Sequence, residues 1–165
     1  MSSADAQEEK KYNATLLGLG VGLPYGGFGL KLTQQVHTNI DLFGGIGYNL
    51  IGPGYNVGMN LNIPTGLRTQ FFFTGMYGYN AVIKIKNLEE SEKAYYGFSL
   101  GTGLRLSPKK YKWSYWDFAI LIPFRNQSFK DDQDFYYRSP IVDDFNKAFP
   151  LLFSVGYNFQ ISAEK

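Results

Sequence analysis

The stretch Leu151-Leu-Phe-Ser-Val-Gly-Tyr-Asn-Phe-Gln-Ile161 decides the fold. Phe153, Val155, Tyr157, Phe159 and Ile161 alternate with Ser154, Gly156, Asn158 and Gln160. Successive side chains on a strand point to opposite faces, so this segment has one apolar face and one small or polar face. The period is two, and a helix would require apolar residues every three to four positions.

Working outward, the same period fills the chain. Leu17, Leu19 and Val21 face away from Gly18, Gly20 and Gly22, and Phe28, Leu30 and Leu32 face away from Gly29, Lys31 and Thr33. Leu42, Ile46 and Tyr48 oppose Asp41, Phe43, Gly45 and Gly47, while Tyr55, Val57, Met59, Leu61 and Ile63 oppose Asn56, Gly58, Asn60 and Asn62. Phe71, Phe73, Tyr77 and Tyr79 oppose Arg68, Gln70, Thr74, Gly78 and Asn80 on a strand expected from about Leu67 to Lys86. Two further segments set Phe98, Leu100 and Leu104 against Ser99, Gly101 and Arg105, and Trp116, Phe118, Ile120 and Ile122 against Tyr115, Asp117 and Ala119. Pro24-Tyr-Gly-Gly27, Gly52-Pro-Gly54, Pro64-Thr-Gly66 and Ser107-Pro-Lys-Lys110 are turn signals between them. About eight strands of roughly ten residues with mostly short turns predict an all-β, eight-stranded antiparallel up-and-down barrel. Two connections are longer: a polar loop at 87–93 and an acidic one at 125–148.

Composition bounds the function. With 165 residues there is room for one domain. Lys plus Arg is 16 and Asp plus Glu is 14, a formal charge of +2, which gives no electrostatic case for nucleic acid as a partner. Cysteine is absent and there is one histidine, which excludes disulfides, thiol catalysis and a multi-histidine metal site within one chain. Residues 1–11 read as a disordered polar tail, with Ala4-Asp-Ala6 in the small-x-small form of a processed-signal remnant; 12–161 read as the barrel and 162–165 as a C-terminal tail.

A closed sheet of this kind either hides its apolar face, as in soluble lipocalin-like barrels, or presents it to lipid. The mean hydropathy of −0.22 would suit a soluble protein. The minor face decides against that. It is mostly Gly, Asn, Ser, Thr and Gln, which suits the cramped lumen of a small barrel, whereas a solvated strand face carries many Lys and Glu. The expectation is a transmembrane barrel. Tyr25, Phe28, Tyr48, Tyr55, Tyr77, Tyr79, Tyr95 and Tyr96 then sit near strand ends as an aromatic belt. Lys31, Asp41, Arg68, Arg105 and Asp117 are expected to form an ion-pair layer across the lumen, because an unpaired buried charge is costly. Above it, either the inward glycines leave a shallow cavity, or Phe43, Phe72 and Tyr115 fill the space.

Val155-Gly-Tyr-Asn-Phe159 resembles the terminal strand of small bacterial outer-membrane barrels of the OmpA/OmpX type, and Ala94-Tyr-Tyr-Gly-Phe-Ser-Leu-Gly-Thr-Gly-Leu-Arg105 is similar to a strand of their penultimate hairpin. Six residues follow Phe159, where that family ends at the aromatic. The resemblance implies an outer-membrane location with periplasmic termini, short periplasmic turns and extracellular loops at 87–93 and 125–148. It implies that Gly156, Tyr157 and Phe159 are read by the barrel-assembly machinery.

No enzymatic constellation stands out. His37 is the only histidine able to activate a serine, and it falls in an expected turn. Asp131-Asp-Gln-Asp134 lacks the spaced ligands of a Ca²⁺ loop, and Gly18-Leu-Gly-Val-Gly-Leu23 lacks the last glycine and the helix of a phosphate loop. No cofactor and no metal are expected. The expected role is structural or partner-binding, with outer-membrane lipid around the barrel and another envelope protein as a candidate partner. Phe135, Tyr136, Tyr137 and Arg138 are the candidate contacts, since aromatics and Arg make good anchors. Three alternatives stay open: an accessory subunit of a larger outer-membrane complex, a narrow channel, and a soluble lipocalin-like binder of a hydrophobic ligand.

Overall fold

A computed structural model describes residues 14–49, 51–63, 65, 68–83, 93–108, 114–125, 127–138 and 150–163. The eight strands are β1 (Ala14–Gly22), β2 (Gly27–His37), β3 (Ile40–Tyr48), β4 (Pro53–Ile63), β5 (Thr69–Ile83), β6 (Lys93–Leu106), β7 (Ser114–Pro123) and β8 (Leu152–Ala163). Each pairs antiparallel with its sequence neighbour, and β8 returns to β1, so the sheet is a closed up-and-down barrel with no free edge. β8 pairs Ala163 with Ala14 and Ser162 with Thr15, so the last strand extends past the expected boundary at 161.

Closure sorts the alternating faces. The apolar set points outward on every strand: Leu19, Leu30, Ile46, Val57, Phe73, Leu100, Ile120 and Phe153 are all exposed. The small and polar set points inward, where Lys31, Thr33, Asp41, Asn56, Asn60, Arg105, Asp117 and Asn158 are buried. The apolar side chains are therefore outside, the reverse of a lipocalin-like arrangement. No helix among the described residues is long and apolar enough to cross a membrane.

The two ends differ. At one, the turn end, residues 38–39, 64–68 and 107–113 join strands beside Ala14 and Ala163. Backbone bonds tie these joints together: Asn62 donates to Asn39 at 2.7 Å and Ser107 to Arg68 at 3.1 Å. The opposite, loop end carries two tight connections and two long ones. Within 125–148, read from sequence as an irregular loop, residues Gln127–Arg138 form a helix, α1. That stretch has neither Gly nor Pro to interrupt it, and its Phe129 is buried. The tail at 1–11 and the loop at 87–92 lie outside the described residues.

Candidate functional site: the lumen

The first tight connection enters the barrel. After β1 the chain makes a single 3-10 turn, Leu23–Tyr25, and all three residues are buried. Gly26 and Gly27 follow with φ of 68° and 112°, a backbone that side-chain-bearing residues rarely adopt, and this swings the turn inward. Gly26 N–H closes the turn on the Leu23 carbonyl at 3.0 Å. The turn lies against β1 to β5 and β8. Its space comes from inward glycines: a Cβ at Gly45 would overlap the Pro24 carbonyl, and one at Gly156 or Gly20 would overlap the Tyr25 ring. Of the two expectations, a shallow cavity or a filled lumen, the lumen is filled: the turn occupies the space beside glycines 20, 29, 45 and 47, and Phe43 and Phe72 are buried inside as well.

Tyr25 corrects the sequence reading most sharply. Expected in the outer belt, it is instead 0% exposed at the centre of an upper polar knot. Its hydroxyl donates to Asp117 Oδ1 at 2.7 Å. Asn158 Nδ2 donates to Asp117 Oδ2 at 3.0 Å and to the Tyr25 oxygen at 3.3 Å. Lys31 Nζ forms an ion pair with Asp117 Oδ2 and stands 4.6 Å from the centre of the Tyr25 ring. One carboxylate therefore takes bonds from two other strands, β2 and β8, and from the inserted turn.

A lower knot lies nearer the turn end. Arg105 Nη1 donates to Asp41 Oδ2 and to Asn62 Oδ1, each at 2.7 Å. Asn62 Nδ2 donates to the same Asp41 oxygen at 2.8 Å. The guanidinium carbon lies 5.0 Å from the Phe72 ring centre and 4.7 Å from that of Tyr115. Arg105 and Asp117 are direct register partners on β6 and β7, so the two knots adjoin.

Four of the five expected layer residues are thus brought together as two pairs, Lys31 with Asp117 and Arg105 with Asp41. Arg68 is not among them. It is exposed in the bend before β5, because that strand starts at Thr69 and the arginine never enters the barrel.

Apolar packing completes the filling. Leu23, Phe43, Phe72, Met76, Ala119 and Leu121 form a buried cluster inside the barrel. Towards the loop end, Asn56 Nδ2 donates to the Leu23 and Tyr79 carbonyls at 2.7 and 3.0 Å, and Asn80 Nδ2 to the Phe124 carbonyl at 3.1 Å. Phe129 of α1 covers this end. It meets buried Tyr95 edge-on at 5.1 Å, and the Arg125 guanidinium lies 5.1 Å from its ring centre. Desolvation lowers the pKa of Arg125 from its ordinary value.

Of the other expected belt residues, Phe28, Tyr48, Tyr55 and Tyr77 are exposed on the outer face, with Tyr55 paired to Tyr96 at 5.1 Å. Trp116 and Tyr157 pair at 5.1 Å lower on the barrel. Gly156 is buried under the Tyr25 ring, whereas Tyr157 and Phe159 look outward. Phe135, Tyr136, Tyr137 and Arg138 belong to the last turn of α1, and their side chains lie outside the described residues. His37 is exposed at the end of β2. No group of three metal-ligating side chains occurs among the described residues.

These features define the chain as a closed eight-stranded antiparallel barrel with a polar, filled interior and an apolar exterior. The sequence matches no protein-family model and no curated protein.

Proposed function

We propose that this chain is an integral outer-membrane barrel whose outer face is anchored in lipid, whose lumen is closed, and whose role is structural or partner-binding, without catalysis. One observation carries the reading. Among the described strand side chains, no Asp, Glu, Lys or Arg faces outward, while Lys31, Asp41, Arg105 and Asp117 are all buried inside. Water would strongly disfavour that distribution over a whole barrel surface, and a bilayer favours it. β4, at 11 residues, has the length of a tilted strand crossing a hydrocarbon core of ~30 Å. The terminal strand resembling an OmpA/OmpX-type assembly signal adds support for the outer membrane, with the turn end periplasmic and the loop end extracellular. The two adjoining ion-paired knots and the apolar cluster packed inside the same barrel support a barrier to ions over a narrow channel.

The test is electrophoretic mobility of the detergent-extracted protein before and after boiling in SDS, together with flotation on lipid vesicles. A membrane barrel keeps a compact, fast band until heated and floats with the vesicles. A protein that stays soluble without detergent and shows no heat shift refutes the anchoring. Single-channel steps in a planar bilayer would refute the closed lumen.

A further inference from the structure

The outer face carries one feature that anchoring alone does not use. A furrow of about 600 Å³ crosses it from β5 to β1. One wall follows register partners from strand to strand: Phe71 beside Leu104, Leu104 beside Phe118, Phe118 beside Val155. The other wall is low at Thr102 and high at Phe153. Thr102 turns its hydroxyl to the Phe72 carbonyl at 3.0 Å, so the barrel itself satisfies that group.

Barrel strands tilt, so a row of register partners climbs the wall. This row begins at Phe71, two residues above the start of β5 at the turn end, and ends at Val21, one residue below the end of β1 at the loop end. Four strand spacings make it about 19 Å long, against about 15 Å for one leaflet of the hydrocarbon core. At the low end stands Arg68, exposed in the bend that leads into β5. Among the described residues, the site is therefore an apolar channel with one cation, Arg68, in the bend at its turn end.

Resting on the membrane reading above, we propose that the furrow and Arg68 hold one anionic phospholipid of the turn-end leaflet, an acyl chain lying along Phe71 and Phe118 and the phosphate meeting the guanidinium. A planar guanidinium pairs with phosphate oxygens through two parallel bonds, and a concave apolar channel takes a flexible chain without requiring a matching ridge. A second copy of this chain would have to supply such a ridge together with an anion at one end.

The experiment is native mass spectrometry of the full chain in a neutral maltoside detergent, titrated with dioleoylphosphatidylglycerol or dioleoylphosphatidylcholine. One phosphatidylglycerol is expected to be retained per barrel, about tenfold more tightly than phosphatidylcholine, because its phosphate charge is unopposed whereas choline neutralises that of phosphatidylcholine beside the guanidinium. Thr102→Trp, which fills the furrow, removes retention of both lipids. R68Q equalises them. Leu42→Trp, on the outer face of β3 two strands from the furrow, changes neither. Undiminished phosphatidylglycerol retention in Thr102→Trp overturns the proposal, as does equal retention of the two lipids by the unaltered chain, or a dimer mass abolished by Thr102→Trp. Boiling shift and vesicle flotation are read on the same samples. If the variants lose lipid but keep both, the docking site stands; if the unaltered chain lacks both, the membrane reading fails and takes this proposal with it.

Discussion

The two polar knots of the lumen use the same chemistry and are completed differently. The lower one, Arg105 with Asp41 and Asn62, is built by strands alone. The upper one, Lys31 with Asp117 and Asn158, is finished by Tyr25, which arrives from a turn folded in from the loop end. In the lower knot an arginine meets an acid and an amide and lies on two rings of the barrel wall. In the upper knot a lysine shares its carboxylate with a phenol and an amide. The lower knot closes as soon as the strands register. The upper knot needs the sheet and an inserted residue, so it couples barrel closure to the packing of a connection. Its acceptor, Asp117, is the more heavily committed group, and its loss strands more partners.

That difference orders the expected effects. Asp117→Ala is the largest. It leaves Lys31 as a buried cation without its anion and takes the acceptor from Tyr25 and Asn158. Breaking one side of a buried pair costs about 3–5 kcal/mol. The denaturant midpoint for loss of the compact, unheated gel band should fall accordingly. An unchanged midpoint would mean that the upper knot is solvated and energetically idle.

Next come the two charge-free doubles, which sharpen the comparison directly. Arg105→Met alone should cost about 3 kcal/mol, and R105M with D41L should recover most of that, because an uncharged pair of similar bulk has no unmet charge. At the upper knot, K31M with D117L should recover less, since it takes the carboxylate acceptor from two buried residues, Tyr25 and Asn158, where the lower double strands one, Asn62. Equal recovery at both knots would show that the inserted turn adds nothing to the pairing.

The same contrast explains what the sequence disclosed. Strand parity put Lys31, Asp41, Arg105 and Asp117 on the inward face, and an inward charge demands a partner, so both knots were visible as a layer. Pairing was not: Lys31 reaches Asp117 across the lumen from β2 to β7, a relation fixed by barrel closure and not by spacing along the chain. Tyr25 was misread as a belt residue because it sits at a strand end beside true belt residues such as Phe28. Its signal was present in another form. Pro24 and the two glycines at 26 and 27 make a turn able to fold inward, and glycines 18, 20, 45, 47 and 156 strip one sector of the lumen of side chains. A stripped lumen implies something to fill it. Arg68 was misplaced because alternation was carried one residue into a bend, where parity no longer holds.

Gly45→Ala tests the insertion itself and should rank third. The new methyl would meet the Pro24 carbonyl, which is backbone and cannot rotate away. Overpacking of this kind costs about 1–3 kcal/mol. Glycine at 44, by contrast, faces outward with only Val57 near it at 4.0 Å, so Gly44→Ala should be close to neutral. Similar losses at both positions would remove steric exclusion as the reason for glycine at 45.

Tyr25→Phe is the smallest and most specific perturbation. It keeps the ring that fills the space beside Gly156 and lies near the Lys31 ammonium, and it removes a single oxygen. Asp117 keeps Lys31 and Asn158 as donors, so the carboxylate is not orphaned, and the loss should be about 1.5 kcal/mol, the usual worth of a bond to a charged group. Adding K31M separates the two contributions. If the hydroxyl acts through Asp117, the double loses less than the sum of the singles, because both changes act on the same carboxylate. Strict additivity would mean that the hydroxyl acts independently of the Lys31–Asp117 pair, and no loss in Tyr25→Phe alone would mean that Tyr25 contributes only volume.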